Sequence, residues 1–284
     1  VVARAGTLRQ IRRRLKADLW KRQGRIPGGY GANAAKWIAI ENAVREGGDG
    51  RYGRDDAGLD ERIVEYAWLF DRLRALDGAS RRVLDAGSVL NHPPVLAAWR
   101  DQLRAPVSIV TLGYEGYADV SDRVRYEFAD LRELPYRDAW FDVSVSLSTV
   151  EHIGLDNRIY GEAAGAVATA GNPGMEARRA IEELHRVTKP AGTLLLSVPY
   201  GTRSNRGWFR ILDAEDLALL TGARGWATIR TRFFRAFREG WREVTAGEAA
   251  DAGYNEPRNR PGEQTAPPHV AAAEAVALVE MRRD

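Results

Sequence analysis

Glu151 and His152 stand side by side in the run Ser148-Thr149-Val150-Glu151-His152-Ile153-Gly154. An imidazole with an ordinary pKa of about 6.5 can take a proton from a hydroxyl or an amine at neutral pH. A carboxylate beside it can orient the ring or help it hold a divalent ion. Further polar groups follow short apolar runs: Asp85, Gly87, Ser88 and Asn91 after Val83-Leu84, and Asp130 after Phe128-Ala129. The other histidines are weaker candidates. His185 falls within an amphipathic run and reads as structural, while His92 precedes Pro93-Pro94 and His269 lies in a loop-like stretch. Cysteine is absent, which excludes a disulfide scaffold, a thiol nucleophile and cysteine-ligated metal.

These residues need a frame. Leu8–Trp20, Ala34–Val44 and Asp60–Ala75 carry apolar residues at helical spacing, the last with Asp60 as its expected cap. Residues 1–78 therefore read as a helical N-terminal extension, and 79–284 as the domain that carries the chemistry. From Arg82 the rhythm changes to short β-rich runs at 82–86, 107–112, 124–128, 141–147 and 193–199, with helices expected at 95–103, 175–187 and 213–221. Late strands are expected at 228–237 and 276–281, with a long loop over 240–268. Alternating strands and helices point to an α/β fold with a doubly wound, mostly parallel sheet. In such a sheet, ligands sit beyond the carboxyl ends of the strands.

Five pieces in order carry a resemblance: Val83-Leu84-Asp85-Ala86-Gly87; Asp130-Leu131 before Leu134-Pro135-Tyr136; Phe141-Asp142-Val143; Val150-Glu151-His152-Ile153; and Glu183-Leu184-His185-Arg186-Val187 running to Val198-Pro199-Tyr200. Over residues 80–238 the chain resembles the class I S-adenosylmethionine-dependent methyltransferases. The resemblance implies a Rossmann-like, seven-stranded methyltransferase sheet and S-adenosyl-L-methionine as cofactor. It implies cofactor contacts from Asp85, Gly87, Ser88, Asn91, Asp130, Leu131 and Ser148. Asp85 would face the cofactor ammonium, Asp130 the adenine amino group, and Leu131 the ring. The bland alternative is that Asp85 and Asp130 only cap turns.

Two features depart from the family pattern. A single glycine, Gly87, precedes Ser88-Val89-Leu90-Asn91, where the family loop is richer in glycine. Gly113 ends the second strand where the family places a ribose-binding acid, which leaves Glu115 as its surrogate. His152, with Glu151, is the expected general base or metal ligand. Asp156 is the remaining candidate to join them around a Mg²⁺-like ion, since Ser148 occupies the place of a further Glu. The expected acceptor is a small molecule or saccharide bearing a hydroxyl, contacted by Tyr30, Asp156, Asn157, Tyr200 and Trp241. Against this stands the reading that most of the aromatics are core.

Two other activities fit less well. An N-methyltransferase is the near alternative. The distant one is a nucleic-acid-binding module built on the basic N-terminus, where the first 25 residues hold nine Lys/Arg and one acid, Asp18. Acids at 49, 55, 56, 60, 61 and 65 interrupt any continuous basic face, so nucleic acid is not the expected partner. No apolar run reaches the roughly 20 residues of a membrane span, and a cytoplasmic location is expected. Leu8, Ile11 and Leu15 suit either a lid over the site or a homodimer contact.

Overall fold

The computed structural model describes residues 2–25, 30–46, 57–77, 80–99, 104–113, 123–158, 169, 171–255 and 272–284, and the account below concerns those. Three helices come first: α1 Val2–Arg22, α2 Ala32–Glu46 and α3 Arg62–Ala75. They are followed by β1 Val83–Ala86, α4 Pro93–Trp99, β2 Val107–Thr111, β3 Val124–Phe128, β4 Phe141–Leu147, α5 Pro173–Val187 and β5 Thr188–Pro199. A two-stranded ribbon, β6 Ser204–Asn205 and β7 Arg210–Ile211, leads to α6 Ala214–Thr221. The chain closes with β8 Trp226–Phe237, β9 Gly240–Val244, α7 Ala246–Ala249, β10 Tyr254–Asn255, β11 Ala272–Ala273 and β12 Ala275–Arg283.

The main sheet runs β3-β2-β1-β4-β5-β12-β8-β9. Its first five strands are parallel, and β12 pairs antiparallel with both β5 and β8. This is the doubly wound, mostly parallel sheet expected, with one strand more. The eighth, β9, forms a hairpin with β8 inside the stretch expected to be loop. Its anchor is Trp241, which is buried and donates its indole N–H to the Leu59 carbonyl at 3.0 Å. A five-residue strand with two buried positions offers little periodicity to read.

Alternation along the strands gives the sheet two apolar faces. Leu84, Leu194, Leu196 and Val198 face α5 and α6, packed with Ile181, Leu184, Leu217 and Leu220. Val83, Ile109, Val143, Val145 and Leu195 share the opposite core with Ile63, Phe70 and Leu73 of α3 and with Ile40 of α2. The N-terminal helices thus form one of the sheet's two covering layers. Phe70 meets Trp99 edge to face, and Tyr66 donates its hydroxyl to the Val89 carbonyl at 2.5 Å. Local chemistry fixes the other layer. Asn172 caps α5 by accepting from Gly174 N at 2.8 Å, with Pro173 at the first helical position. Asp213 caps α6 through Glu215 N and Asp216 N.

Asp60 is not the cap residue of α3. That place belongs to Glu61, and the Asp60 carboxylate meets Lys36 Nζ at 2.9 Å while taking the Arg62 N–H at 3.3 Å. On α1, Ala17 and Trp20 are buried while Leu8, Ile11, Leu15 and Leu19 are exposed. Among the described residues no helix is long and apolar enough to cross a membrane.

Candidate active site

A cavity of about 520 Å³ opens beyond the carboxyl ends of β1, β2, β3 and β4. Its walls come from the tails of those strands: Gly87 and Ser88 after β1, Thr111 to Gly113 at the end of β2, Ala129 to Arg132 after β3, and Ser148, Thr149 and His152 after β4. Asn157 and Val89 also line it, together with Arg62 from α3 and His92 just before α4.

The β1 tail turns sharply. Gly87 has φ +126° and Ser88 φ +60°. A methyl group on Gly87 would lie 2.1 Å from Thr149 Oγ1, so glycine is required by the approach of the β4 tail. Asp85 is fully buried and accepts from Val89 N at 3.1 Å and Leu90 N at 2.7 Å. It therefore shapes the loop from beneath and is not among the residues lining the cavity. Asn91, also fully buried, is likewise away from the wall. Ser88 lies on the wall with its hydroxyl 3.2 Å from Tyr126 Oη.

At the β3 side, Asp130 is gripped by its neighbour. Arg132 donates from N, Nε and Nη2 to the Asp130 carboxylate at 2.6–3.1 Å and also bonds Glu176. Burial pushes the Asp130 carboxyl up, but these bonds outweigh it and hold its pKa below the usual value. Leu131 is buried against the same wall. Glu115 lies outside the described residues.

The β4 tail brings two titratable side chains, Glu151 and His152, to this end of the sheet. Ser148 takes φ +39°, and a single 3₁₀ turn, Val150–His152, brings the His152 ring to the cavity. His152 Nδ1 lies 2.8 Å from the Trp208 carbonyl oxygen. A carbonyl can only accept, so Nδ1 carries the proton and Nε2 is left basic. Burial, partly offset by that bond and reinforced by the charge of Arg62, lowers the imidazole pKa to about 4. His92 is similarly lowered to about 4 by burial, Arg62 and Lys36. Glu151 points inward. It is buried, Oε2 has no partner among the described residues, and burial aided by Glu65 raises its pKa to about 8. Its Oε1 lies 3.8 Å from His152 Nε2, so at neutral pH a carboxylic acid stands beside a neutral ring.

Glu151, His152 and Asp156 do not form a ligand set. Asp156 is half-buried, and its carboxylate is held by Arg158 Nε at 2.9 and 3.0 Å, which lowers its pKa to about 2. Among the described residues no group of three His, Asp or Glu side chains is placed to hold a metal ion. The acceptor candidates are also dispersed. Asn157 lines the cavity, with Nδ2 donating to the His152 carbonyl at 2.7 Å and the Leu155 carbonyl at 3.1 Å. Tyr200 is core, its ring 4.7 Å from that of Phe233, and Trp241 is core as described above. Tyr30 is 63% exposed and lies under Lys16 on the surface, away from the wall.

Sequence reasoning overlooked Arg62 and Glu65. Glu65 is fully buried and accepts from Ser148 Oγ at 2.5 Å, Ser197 Oγ at 2.6 Å and Arg62 Nη1 at 3.0 Å. Arg62 Nη1 also donates to the Leu147 carbonyl at 3.3 Å. The clue was a glutamate set within the otherwise apolar stretch Ile63-Val64-Tyr66-Ala67-Trp68, every member of which is buried. A carboxylate on such a face needs partners, and here they are the tails of β4 and β5.

Parts of the chain are similar to known proteins. Residues 110–196 match the family model described as a methyltransferase domain. A curated relative, 27-O-demethylrifamycin SV methyltransferase of Amycolatopsis mediterranei, is 32% identical over 152 residues, covering 50% of this chain and 53% of that protein. The chain thus spans about half the length of the curated relative it matches. Among solved structures, 1,6-didemethyltoxoflavin-N1-methyltransferase of Burkholderia thailandensis is 16% identical, covers 75% of each chain and has a TM-score of 0.45. The N-methyltransferase NodS of Bradyrhizobium japonicum is 12% identical, covers 87% of this chain and 98% of its own, and also has a TM-score of 0.45. The segment that matches the methyltransferase-domain model runs from β2 to β5, within the parallel order β3-β2-β1-β4-β5 whose carboxyl ends open onto the cavity.

Proposed function

We propose that this protein moves a methyl group from S-adenosylmethionine to a hydroxyl group of a small molecule. The observation that carries the reading is His152: a neutral imidazole, locked in one tautomer by the Trp208 carbonyl, on the wall of a cavity at the carboxyl ends of the parallel strands. The Gly87-Ser88 turn, the Thr111–Gly113 tail and Asp130-Leu131 form a cradle that fits the cofactor. They give close backbone approach, an acceptor carboxylate and an apolar surface. When bound there, the cofactor supplies an electrophilic methyl group on a sulfonium.

The protein's own part is alignment and proton removal. His152 Nε2 takes the hydroxyl proton, with Nδ1–H fixed on Trp208, and the low polarity of the cavity keeps the imidazole ready as a base. A protonated Glu151 beside Nε2 adds no charge that would raise the ring's basicity. Hydroxyl as acceptor is supported by the curated relative, whose name specifies an O-demethyl compound. A saccharide has less to support it, because Tyr30, Tyr200 and Trp241, the aromatics offered for sugar stacking, are away from the cavity.

The test is turnover. The purified protein with S-adenosylmethionine is offered a panel of phenols, polyketide-like alcohols, sugars and amines. Products are read by mass for the gain of one methylene. Methylated alcohols or phenols support the reading; methylated amines alone would replace it with N-methylation.

A further inference from the structure

Among the described residues of the cavity wall, Arg62 is the charged side chain that leaves donors unused. Asp130 and Arg132, the other charged wall residues, are paired with each other. Arg62 enters from α3 rather than from a strand tail. Its Nη1 is pinned twice, by Glu65 Oε2 at 3.0 Å and by the Leu147 carbonyl at 3.3 Å. Glu65 is in turn fixed by Ser148 Oγ and Ser197 Oγ, so the guanidinium is held by β4 and β5 through a buried carboxylate. Nε and Nη2 have no partner among the described residues, and the side chain keeps 30% of its surface exposed. A fork fixed at one end with two nitrogens left over matches a planar anion in geometry as well as charge.

We propose that Arg62 is the carboxylate-recognition residue of the cavity, binding the carboxylate of the ligand through Nε and Nη2. This rests on the function proposed above. The carboxylate has two chemical sources, the amino-acid end of the cofactor and an acidic acceptor, and the experiment separates them. Calorimetric titrations use S-adenosylhomocysteine, which carries the carboxylate, and 5′-methylthioadenosine, which lacks it. A third titration adds benzoate to protein saturated with S-adenosylhomocysteine. Each is done on the wild type, on Arg62→Met and on Arg62→Lys. The lysine variant keeps a cation opposite Glu65 but lacks the fork, and it guards against a methionine variant that fails to fold.

The expected result is about a ten- to hundredfold loss of S-adenosylhomocysteine affinity in Arg62→Met. A smaller loss is expected in Arg62→Lys, with methylthioadenosine binding unchanged in both. That assigns the carboxylate to the cofactor. Unchanged nucleoside binding with lost benzoate binding would equally support Arg62 and assign the carboxylate to the acceptor. Equal losses for S-adenosylhomocysteine and methylthioadenosine, or no loss for any probe, would overturn the proposal. A wild type that binds benzoate through Arg62 but neither nucleoside would keep Arg62 and sink the methyltransferase reading. A wild type that binds nothing would sink both.

Discussion

Glu65 on α3 accepts a hydrogen bond of 2.5 Å from Ser148, the residue that follows β4. This bond ties the N-terminal helices to the strand tail that delivers His152. With Ser197 and Arg62 it satisfies a fully buried carboxylate with three donors from three elements. A residue far outside the sheet thereby sets the position of the site's wall. Breaking one bond of such a network costs more than the bond itself, because the carboxylate is left partly unpaired in an apolar setting. We expect Glu65→Ala to lower stability by about 3–5 kcal/mol, since Arg62 then loses its buried counter-ion. Glu65→Gln should lose less. Chemical denaturation of the two variants beside the wild type reads the difference.

The His152 tautomer gives a second prediction. With Nδ1–H on the Trp208 carbonyl and the pKa lowered to about 4 by burial, the ring stays neutral from alkaline pH down to about pH 5. Long-range proton–nitrogen correlation spectra of labelled protein should show a single Nδ1–H tautomer across that range. An exposed histidine would titrate instead near pH 6.5. His152→Gln should lower turnover by about a hundred- to ten-thousandfold while leaving nucleoside affinity nearly unchanged.

Glu151 makes stability depend on pH in a direction opposite to a salt-bridged acid. Its carboxyl has a pKa of about 8 when folded against 4.5 when exposed, because burial disfavours the anion. The folded state therefore holds a proton that the unfolded chain releases between those values, and stability is lost as pH rises from 4.5 to about 8. Glu151→Gln removes this dependence. The stability gap between variant and wild type should widen by about 1.4 kcal/mol per pH unit across that window and level off above it. Urea melts at pH 5, 6, 7 and 8 would show it. A gap that does not change with pH would mean that Glu151 is ionised in the folded state.

Much of the fold could be read from the chain because it is written in periodicity. Short apolar runs in β1, β2 and β5, buried on both faces of the sheet, and the amphipathic spacing of α5 are both visible in the sequence. Gly87, Asp130, Leu131, Ser148, His152 and Asn157 all reach the one cavity because each lies in or near a strand tail. What escaped was set by contacts distant in sequence. Arg62 reaches the site only through packing of α3 onto the sheet, and the role of Asp85 is decided by the Val89 and Leu90 N–H groups beside it. The aromatics misled for a related reason: an indole or phenol looks the same in sequence whether it lines a pocket or fills a core, as Trp241 and Tyr200 do.

Asp85 and Gly87 should behave as shapers of the loop. Asp85→Asn turns one of its two acceptors into a donor facing a backbone N–H, and a loss of about 2–3 kcal/mol is expected. Gly87→Ala places a methyl 2.1 Å from Thr149 Oγ1 at φ +126°, with about 2 kcal/mol of backbone strain besides the clash. Adding Thr149→Gly should recover the clash component and leave the strain. Thermal melts of the single and double variants test the division.

The most direct measurement is calorimetric titration of the wild-type protein with S-adenosylhomocysteine, with Gly87→Ala alongside as the variant whose cradle is disturbed. Saturable, one-to-one binding in the micromolar range that Gly87→Ala weakens is the expected result. A well-folded wild type that takes up no S-adenosylhomocysteine would contradict the assignment of the cavity to the cofactor and, with it, the proposed methyl transfer.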